Sequence, residues 1–434
     1  MARTEKQKPS AEDHPLRRFV LDEIHARPLA PVSAPRRVLH LACSTEEGAA
    51  DAGRAALAAF ASQRGGPPPA ADARHHTLTL PEGRLRWERH TEFATYSWDM
   101  DLPGAPGWAS APIMLPQGAP QLAGPRVVAA ELLLIKGGEA PWQDADTVTW
   151  GFDAPSLCVA DVEQGQATIV TDFRPWPDGL TRILILDRGL TPQNAGALVQ
   201  RLIEIETYRA FALMALPVVL EAGPELAEME EALVVLLAAS GEPDGGGHRA
   251  LLDKLNDLAI GLERQLAATS YRIGASKAYE EILSDRLAAI GETPQQGQGT
   301  WSAFLNRRLG PALRTCASLG ERQDRLSQRL VRAAALLRTR VEIALEDQNN
   351  AVLRAMNRRS QLQLRLQHTV EGLSIAAVSY YVVGLVSYLA KGGQVLGLPV
   401  PPAVIAALSV PLVIAWVAWF VRRIRQRSLK DAAD

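Results

Sequence analysis

A stretch without proline near the carboxyl end constrains this chain more than any other feature. No proline occurs between Pro311 and Pro399, and no glycine occurs between Gly320 and Gly372. Residues that favour helices (Ala, Leu, Arg, Gln and Glu) dominate its polar half. Because apolar residues also recur there in steps of four and seven, the sequence predicts a long stalk helix, suited to a coiled coil, over 300–372. The apolar stripe consists of Leu326, Leu330, Leu337, Val341, Leu345, Val352 and Met356.

The chain becomes wholly apolar after this stalk. Residues 373–390 form an uncharged run of 18 residues, and 403–421 form a second run of 19. Both runs are long enough for a membrane helix. We therefore predict a first transmembrane helix over 373–391, a short periplasmic loop over 392–402 and a second transmembrane helix over 403–421, which together form a hairpin.

Basic residues flank this predicted hairpin on one side only. Arginines precede the first run and follow the second, where they form a basic tail over 422–434, whereas the intervening loop carries only Lys391. By the positive-inside rule, both termini are predicted to be cytoplasmic. The amino-terminal residues MARTEKQKPSAEDHP lack the apolar core of a signal peptide. The predicted location is a bacterial inner membrane, spanned twice.

The rest of the chain divides by composition into two parts. Residues 1–13 are polar and predicted to be a disordered tail. Segments such as RRVLHLACS and TRILILDRG, rich in strand-forming residues, predict a mixed α+β cytoplasmic domain with a largely antiparallel sheet over 14–190. From the Thr191-Pro192 helix start onward, 191–299 is predicted to be a helical middle.

Composition and motifs exclude several function classes. A net charge of -2 gives no indication of nucleic-acid binding. The three cysteines, Cys43, Cys158 and Cys316, lack metal-ligand spacing, and we expect buried, reduced thiols. No phosphate-binding loop, nucleophile elbow or zinc-protease motif occurs, so no catalytic residue and no enzymatic activity are predicted.

One short string suggests a metal site in the α+β domain. In WERHTEF, the residues Glu88, His90 and Glu92 alternate, so on a strand they would share one face. Two carboxylates and an imidazole can bind a divalent cation, the only cofactor that the sequence suggests. The alternative is an exposed face with salt bridges to Arg84, Arg86 and Arg89.

Several strings along the chain resemble a bacterial family of uncharacterised membrane-anchored proteins. They are IHARP, LRWERHTEFATYSW, PDGLTRILILDRGLTP, LIEIETYRAFALMALP and LQLRLQHTVEGLSIAAVSYY. The resemblance covers nearly the whole chain. It implies a membrane location and no particular activity.

The predicted layout also resembles that of CorA-type divalent-cation channels. In that family the stalk helix continues into the pore-lining first span, five subunits surround the pore, and a basic tail rings its cytoplasmic mouth. The chain lacks the family's Gly-Met-Asn at the end of the first span and has SYLAKGG there. The resemblance implies pore-lining positions at Asn357, Gln361, His368, Glu371, Ile375, Ser379 and Val382. It implies a cytoplasmic basic ring at Arg422, Arg423, Arg425 and Arg427.

Two functions follow as hypotheses. The first is a homo-oligomeric membrane protein, pentameric by analogy, that conducts ions such as divalent cations through a pore lined by the first span. The second is a membrane-anchored scaffold or regulatory protein without transport activity, whose cytoplasmic domain binds a partner. An enzyme tethered to the lipid bilayer is a third class, which no motif supports.

Overall fold

The fold is described from a computed structural model of the chain. It describes residues 14, 16–17, 20–21, 30–45, 48–102, 107–108, 119–138, 142–239, 247–295, 297–395 and 401–431. The predicted disordered tail over 1–13 and the whole IHARP string lie outside these residues.

A nine-stranded sheet forms the centre of the amino-terminal half. Its strands are β1 (Arg36–Ser44), β2 (His75–Leu80), β3 (Gly83–Arg89), β4 (Phe93–Asp101), β5 (Arg126–Lys136), β6 (Cys158–Val162), β7 (Ala167–Pro175), β8 (Thr181–Asp187) and β9 (Thr293–Pro294). The strand order is β2-β3-β4-β1-β5-β8-β7-β6-β9. Every pair is antiparallel except β5 and β8.

The tight turn between β2 and β3 depends on a glycine. Gly83 has a φ of 146°, a conformation that side chains disfavour, and a Cβ atom at this position would lie 2.0 Å from the carbonyl oxygen of Asp99 on β4. Only glycine therefore lets β3 pass so close to β4.

Helices interrupt the run of strands and dominate the carboxyl-terminal half of the chain. They are α1 (Ala49–Gln63), α2 (Asp144–Trp150), α3 (Pro192–Leu213), α4 (Ala215–Ala239), α5 (His248–Ala289), α6 (Trp301–Val395) and α7 (Pro402–Asp431). Helix α3 ends at Leu213, and Pro217 lies in the first turn of α4. Proline is tolerated there because the first helical N–H groups have no acceptor within the helix.

Alternation along the strands places apolar side chains on both faces of the sheet. Val38 on β1 packs with Leu202 of α3, whereas its neighbour Leu39 packs with Phe60 of α1 on the opposite face. Farther along that second face, aromatic rings such as that of Trp142 cover strands β5, β6, β7 and β8. Both faces are buried, which explains why most strands are apolar in consecutive positions rather than in alternation.

The chain divides into two compact units. The first contains Met1–Gly241 and Asp253–Ala333, and the second contains Glu242–Leu252 and Ala334–Asp434. In the first unit, Leu326 and Leu330 of α6 are buried, so the chain itself covers the beginning of the predicted stripe. In the second unit, Leu345, Val352 and Met356 are each more than half exposed.

The sequence-based fold is thus confirmed at the level of its class. The structure is mixed α+β with one large sheet and long carboxyl-terminal helices. Cys43, Cys158 and Cys316 are buried and free, as expected. Burial raises the pKa of the Cys158 thiol to about 12, which makes this thiol a poor nucleophile. The transmembrane hairpin and the CorA-like layout stay predictions.

Candidate functional site

Three helical segments of the described chain are long and apolar enough to cross a membrane. They are Pro192–Ala239, Trp301–Gly393 and Pro402–Arg423. This finding is consistent with membrane association, and it includes both predicted spans.

The first of these segments was not predicted to span a membrane, and its packing explains its apolar character. One third of its most apolar window is buried, compared with 6% for each of the other two. Leu198, Leu202 and Ile205 of α3 lie in the core on one face of the sheet. Apolar residues in the α3 part of this segment therefore belong to a protein core, whereas the most apolar windows of the other two segments contain few buried residues.

A groove lies between the apolar parts of α6 and α7 in the second unit. Its volume is about 390 Å³, and its lining includes Gly372, Ile375 and Ser379 from α6 and Val410 and Ile414 from α7. The small side chains at 372 and 379 let the helices lie close together, as in packed membrane helices. The buried Ser379 hydroxyl has no hydrogen-bond partner among the described residues.

The seven predicted pore positions do not share one environment. Ile375 and Ser379 line the groove toward α7, and Val382 is half-buried. His368 is exposed, and its Nδ1 lies 3.7 Å from Oε2 of the half-buried Glu371, one helical turn away. The other two positions, Asn357 and Gln361, are exposed.

Only part of the predicted basic ring can be placed. Arg422 and Arg423 are exposed, and the Arg423 guanidinium lies 5.0 Å from the centre of the Trp419 ring. Such a pair is typical of residues at a membrane–water boundary. The side chains of Arg425 and Arg427 lie outside the described residues.

The predicted metal set lies at the end of a hairpin rather than along one strand. Glu88 is on β3, but β3 ends at Arg89, and His90 and Glu92 belong to the turn before β4. His90 Nε2 lies 3.7 Å from Glu88 Oε2, and Arg86 Nε lies 3.6 Å from Glu88 Oε1.

Glu92 points away from this pair toward α5. Its Oε2 lies 2.7 Å from Nη1 of Arg272 and accepts a hydrogen bond from the Tyr271 hydroxyl at 3.4 Å. Within the described part of the chain, no three His, Cys, Asp or Glu side chains are grouped so that they could hold a metal ion. Glu92 thus contacts a helix instead of converging with Glu88 and His90, and metal binding by this set stays a prediction.

A buried polar cluster that the sequence did not reveal connects the sheet to α3. His40 Nδ1 lies 2.8 Å from the Ser97 hydroxyl, and His40 Nε2 lies 2.9 Å from the Thr207 hydroxyl. Since the Thr207 hydroxyl donates to the Ile203 carbonyl, it accepts from Nε2–H, and Ser97 donates to Nδ1. The cluster therefore needs a neutral imidazole.

Burial of His40 predicts a loss of stability in acid. Burial, reinforced by the charge of Arg86, lowers its pKa from 6.5 to about 3, against the opposing effect of Glu88. A lowered folded-state pKa means that the unfolded chain binds the proton first as pH falls below 6.5. The free energy of unfolding should fall by up to about 1.4 kcal/mol per pH unit between pH 6.5 and 3.

Urea unfolding from pH 7 to 4 measures this slope, with His40→Gln as the control. Glutamine keeps a donor and an acceptor but does not titrate, so the variant should show a shallower pH dependence than the wild type. Equal slopes in the two proteins would show that His40 does not protonate on unfolding.

Comparisons with known proteins identify the family but not an activity. A family model described as "Protein of unknown function (DUF3422)" matches residues 12–428. No curated protein and no solved structure matches the chain significantly. The predicted resemblance to an uncharacterised family is confirmed, whereas the likeness to CorA-type channels stays a prediction. Because the match covers nearly the whole chain, the protein belongs to the DUF3422 family of proteins of unknown function.

Proposed function

We propose that the protein is a homo-oligomer of the bacterial inner membrane, with α6 helices from several copies surrounding a cation pathway. The apolar ends of α6 and α7 are its two membrane spans, joined as a hairpin, and both termini are cytoplasmic. The layout is CorA-like, and five is the number of copies suggested by that analogy.

The exposed apolar stripe on α6 carries this proposal. From Ile343 to Val370, nine large apolar side chains are each more than half exposed. Leu345, Val352, Met356, Leu366 and Val370 fall on the two core positions of one heptad repeat, which together form a heptad row along the helix. Monomeric soluble proteins rarely expose so long an apolar row, and heptad spacing favours a second helix of the same kind as its cover. The nine residues are Ile343, Leu345, Val352, Leu353, Met356, Leu362, Leu364, Leu366 and Val370.

The polar residues before the apolar run support a cation pathway. His368 and Glu371 lie within one turn of each other where α6 becomes apolar. Ionisable residues at such a position are costly unless they face water or one another. In a ring of helices, these side chains would repeat around a common axis and attract cations.

The oligomer is tested by the mass of the detergent-extracted protein. We expect the wild type to be a multimer and the Val352→Glu/Met356→Glu variant to dissociate, because charges on the heptad row would face one another. Leu353→Glu is the matched control, since Leu353 is equally exposed but lies off the row. A monomeric wild type would contradict the proposal, because one hairpin cannot enclose a pathway.

Ion flux into liposomes tests the pathway. We expect Mg²⁺ or another divalent cation to enter, and Glu371→Gln to reduce the rate at least about tenfold, since one charge–charge contact of about 1.4 kcal/mol corresponds to that factor. Glu346→Gln, on an exposed position of the same helix, should leave the rate unchanged. Equal rates for both variants would exclude Glu371 from the pathway.

The placement of Ile375 and Ser379 favours a second candidate, a membrane-anchored scaffold. Both residues line the groove toward α7, where they would be covered by their own chain rather than by water. A multimer without flux for any tested ion would support this candidate, whose cytoplasmic domain would then bind a partner.

A further inference from the structure

A cavity of about 530 Å³ opens in the first unit. It lies where β7, the end of α3 and the first turns of α6 meet. Its apolar wall is formed by Phe173, Leu213, Phe304, Leu305 and Leu309. Its polar lining is formed by Asp153, Ser156, Asp172, Arg174, Arg209 and Arg308. The volume is in the range of small-molecule sites.

The backbone is strained at the centre of this cavity. Phe173 has a φ of 56°, and the pairing of β7 with β8 is interrupted between Thr171 and Pro175. Non-glycine residues with positive φ and interrupted strands both concentrate at functional sites. The conformation is held from both sides: Thr171 Oγ1 accepts from Phe173 N–H, and Asp172 Oδ1 accepts from Arg174 N–H.

This strain positions the Phe173 ring as part of an aromatic wall. The ring stacks on Phe304 with centroids 5.1 Å apart and contacts Trp301 edge to face at 4.9 Å. Two guanidinium groups lie above the wall: Arg209 is 5.2 Å from the Phe173 centroid, and Arg308 is 4.8 Å from that of Phe304. A flat ligand on this wall would lie beside two cations.

The acceptors of the cavity are already used by the protein. Asp172 is buried and accepts from the N–H groups of Asp153 and Arg174. Asp153 contacts Arg174 at 2.9 Å, and hydrogen bonds from Arg174 and Ser156 lower the pKa of its carboxyl. Both carboxylates of the lining are thus engaged by donors of the protein itself.

The guanidinium donors, by contrast, are only partly used. Arg209 gives Nε–H and one Nη to Glu206, at 2.9 and 2.6 Å, and keeps its other Nη. No carboxylate of the described chain forms an ion pair with Arg308. Each guanidinium has five N–H donors in a rigid fork that matches a carboxylate or phosphate.

We propose that this cavity binds a small organic anion, with its carboxylate or phosphate group at Arg174, Arg209 and Arg308 and its apolar part against Phe173 and Phe304. The site lies wholly within the first unit, so it does not depend on the proposed membrane function. Phe304 and Arg308 are on α6, whereas Phe173 and Arg174 are on β7. A ligand in the cavity would therefore contact both elements and link the first turns of α6 to β7.

Fluorine NMR titration of the full chain in detergent micelles tests the site with three fluorinated probes. The anions are 4-fluorobenzoate and 4-fluorophenyl phosphate, and the neutral probe is 4-fluorobenzamide, each corrected for signal changes in empty micelles. We expect saturable binding of at least one anion, at least about tenfold tighter than that of the amide, because hydrogen bonds to charged groups are the stronger ones.

Two neighbouring arginines provide a matched pair of variants. Arg308→Gln should weaken anion binding about tenfold, whereas Arg307→Gln should not, since Arg307 is exposed and does not line the cavity. Arg308→Lys, which retains the charge, should keep part of the affinity. The proposal is overturned if neither anion saturates, if the amide binds as well, or if the Arg308→Gln and Arg307→Gln variants bind alike.

Discussion

Replacement of Glu131 by Gln is expected to lower the free energy of unfolding of the sheet domain by about 3–5 kcal/mol. The Glu131 side chain on β5 is fully buried, with Oε1 at 2.7 Å from Arg37 Nε and Oε2 at 3.2 Å from Arg182 Nε. Arg182 is almost as buried and lies 4.1 Å from the Trp176 ring centroid. Without the Glu131 carboxylate, the guanidinium groups of Arg37 and Arg182 would lose the counter-ion that they share.

Urea unfolding followed by tryptophan fluorescence measures this change. Seven of the nine tryptophans lie between residues 87 and 301, so the signal reports mainly on the sheet domain. Glu342→Gln is the control: its ion pair with Arg338 is 3.7 Å long, both side chains are at least 69% exposed, and its loss should cost less than about 1 kcal/mol. If both variants unfold like the wild type, the buried network does not stabilise the sheet.

Local patterns predict the elements of this fold well. RRVLHLACS forms β1 at Arg36–Ser44, because strand-forming residues at consecutive positions suit a sheet that is buried on both faces. The proline-free stretch predicts most of α6 for a similarly local reason. The helix extends beyond the proline-free stretch, through Pro311 to Trp301, because the packed residues Leu305, Leu309 and Leu313 hold the turns around the proline in place.

The contacts that form sites depend on distant residues, and local patterns do not reveal them. His40 meets Thr207 across 167 positions, and only the pairing of β1 with its neighbours and the packing of α3 bring the two together. The cavity beside Phe173 joins residues from 153 to 309. The positive φ of Phe173 could not be expected from the sequence, because the residue is neither glycine nor asparagine. The Glu88-His90-Glu92 string fails as one strand face because β3 ends at Arg89.

Replacement of Trp301 by Ala is expected to destabilise the first unit by about 3–5 kcal/mol, as for other large buried rings. Trp301 is the first residue of α6 and is completely buried, in the same apolar cluster as Ile290 and Leu305. Its backbone N–H donates to Glu292 Oε2 at 2.8 Å, and the next N–H, that of Ser302, donates to Oε1 at 2.7 Å. The Trp301 ring and the Glu292 carboxylate together fix the residue at which α6 begins.

Urea unfolding of three tryptophan variants separates the ring from its position. Trp416→Ala removes the same side chain from α7, where it is 56% exposed, and should leave the first unit unchanged. Trp301→Phe should cost clearly less than Trp301→Ala, since phenylalanine keeps most of the apolar volume. The substitution Trp301→Phe also removes the indole N–H, which is buried without a hydrogen-bond partner in the described part of the chain. If Trp301→Phe were as harmful as Trp301→Ala, shape rather than buried apolar volume would hold the start of α6, because a phenyl ring leaves only a small cavity and no polar group unsatisfied.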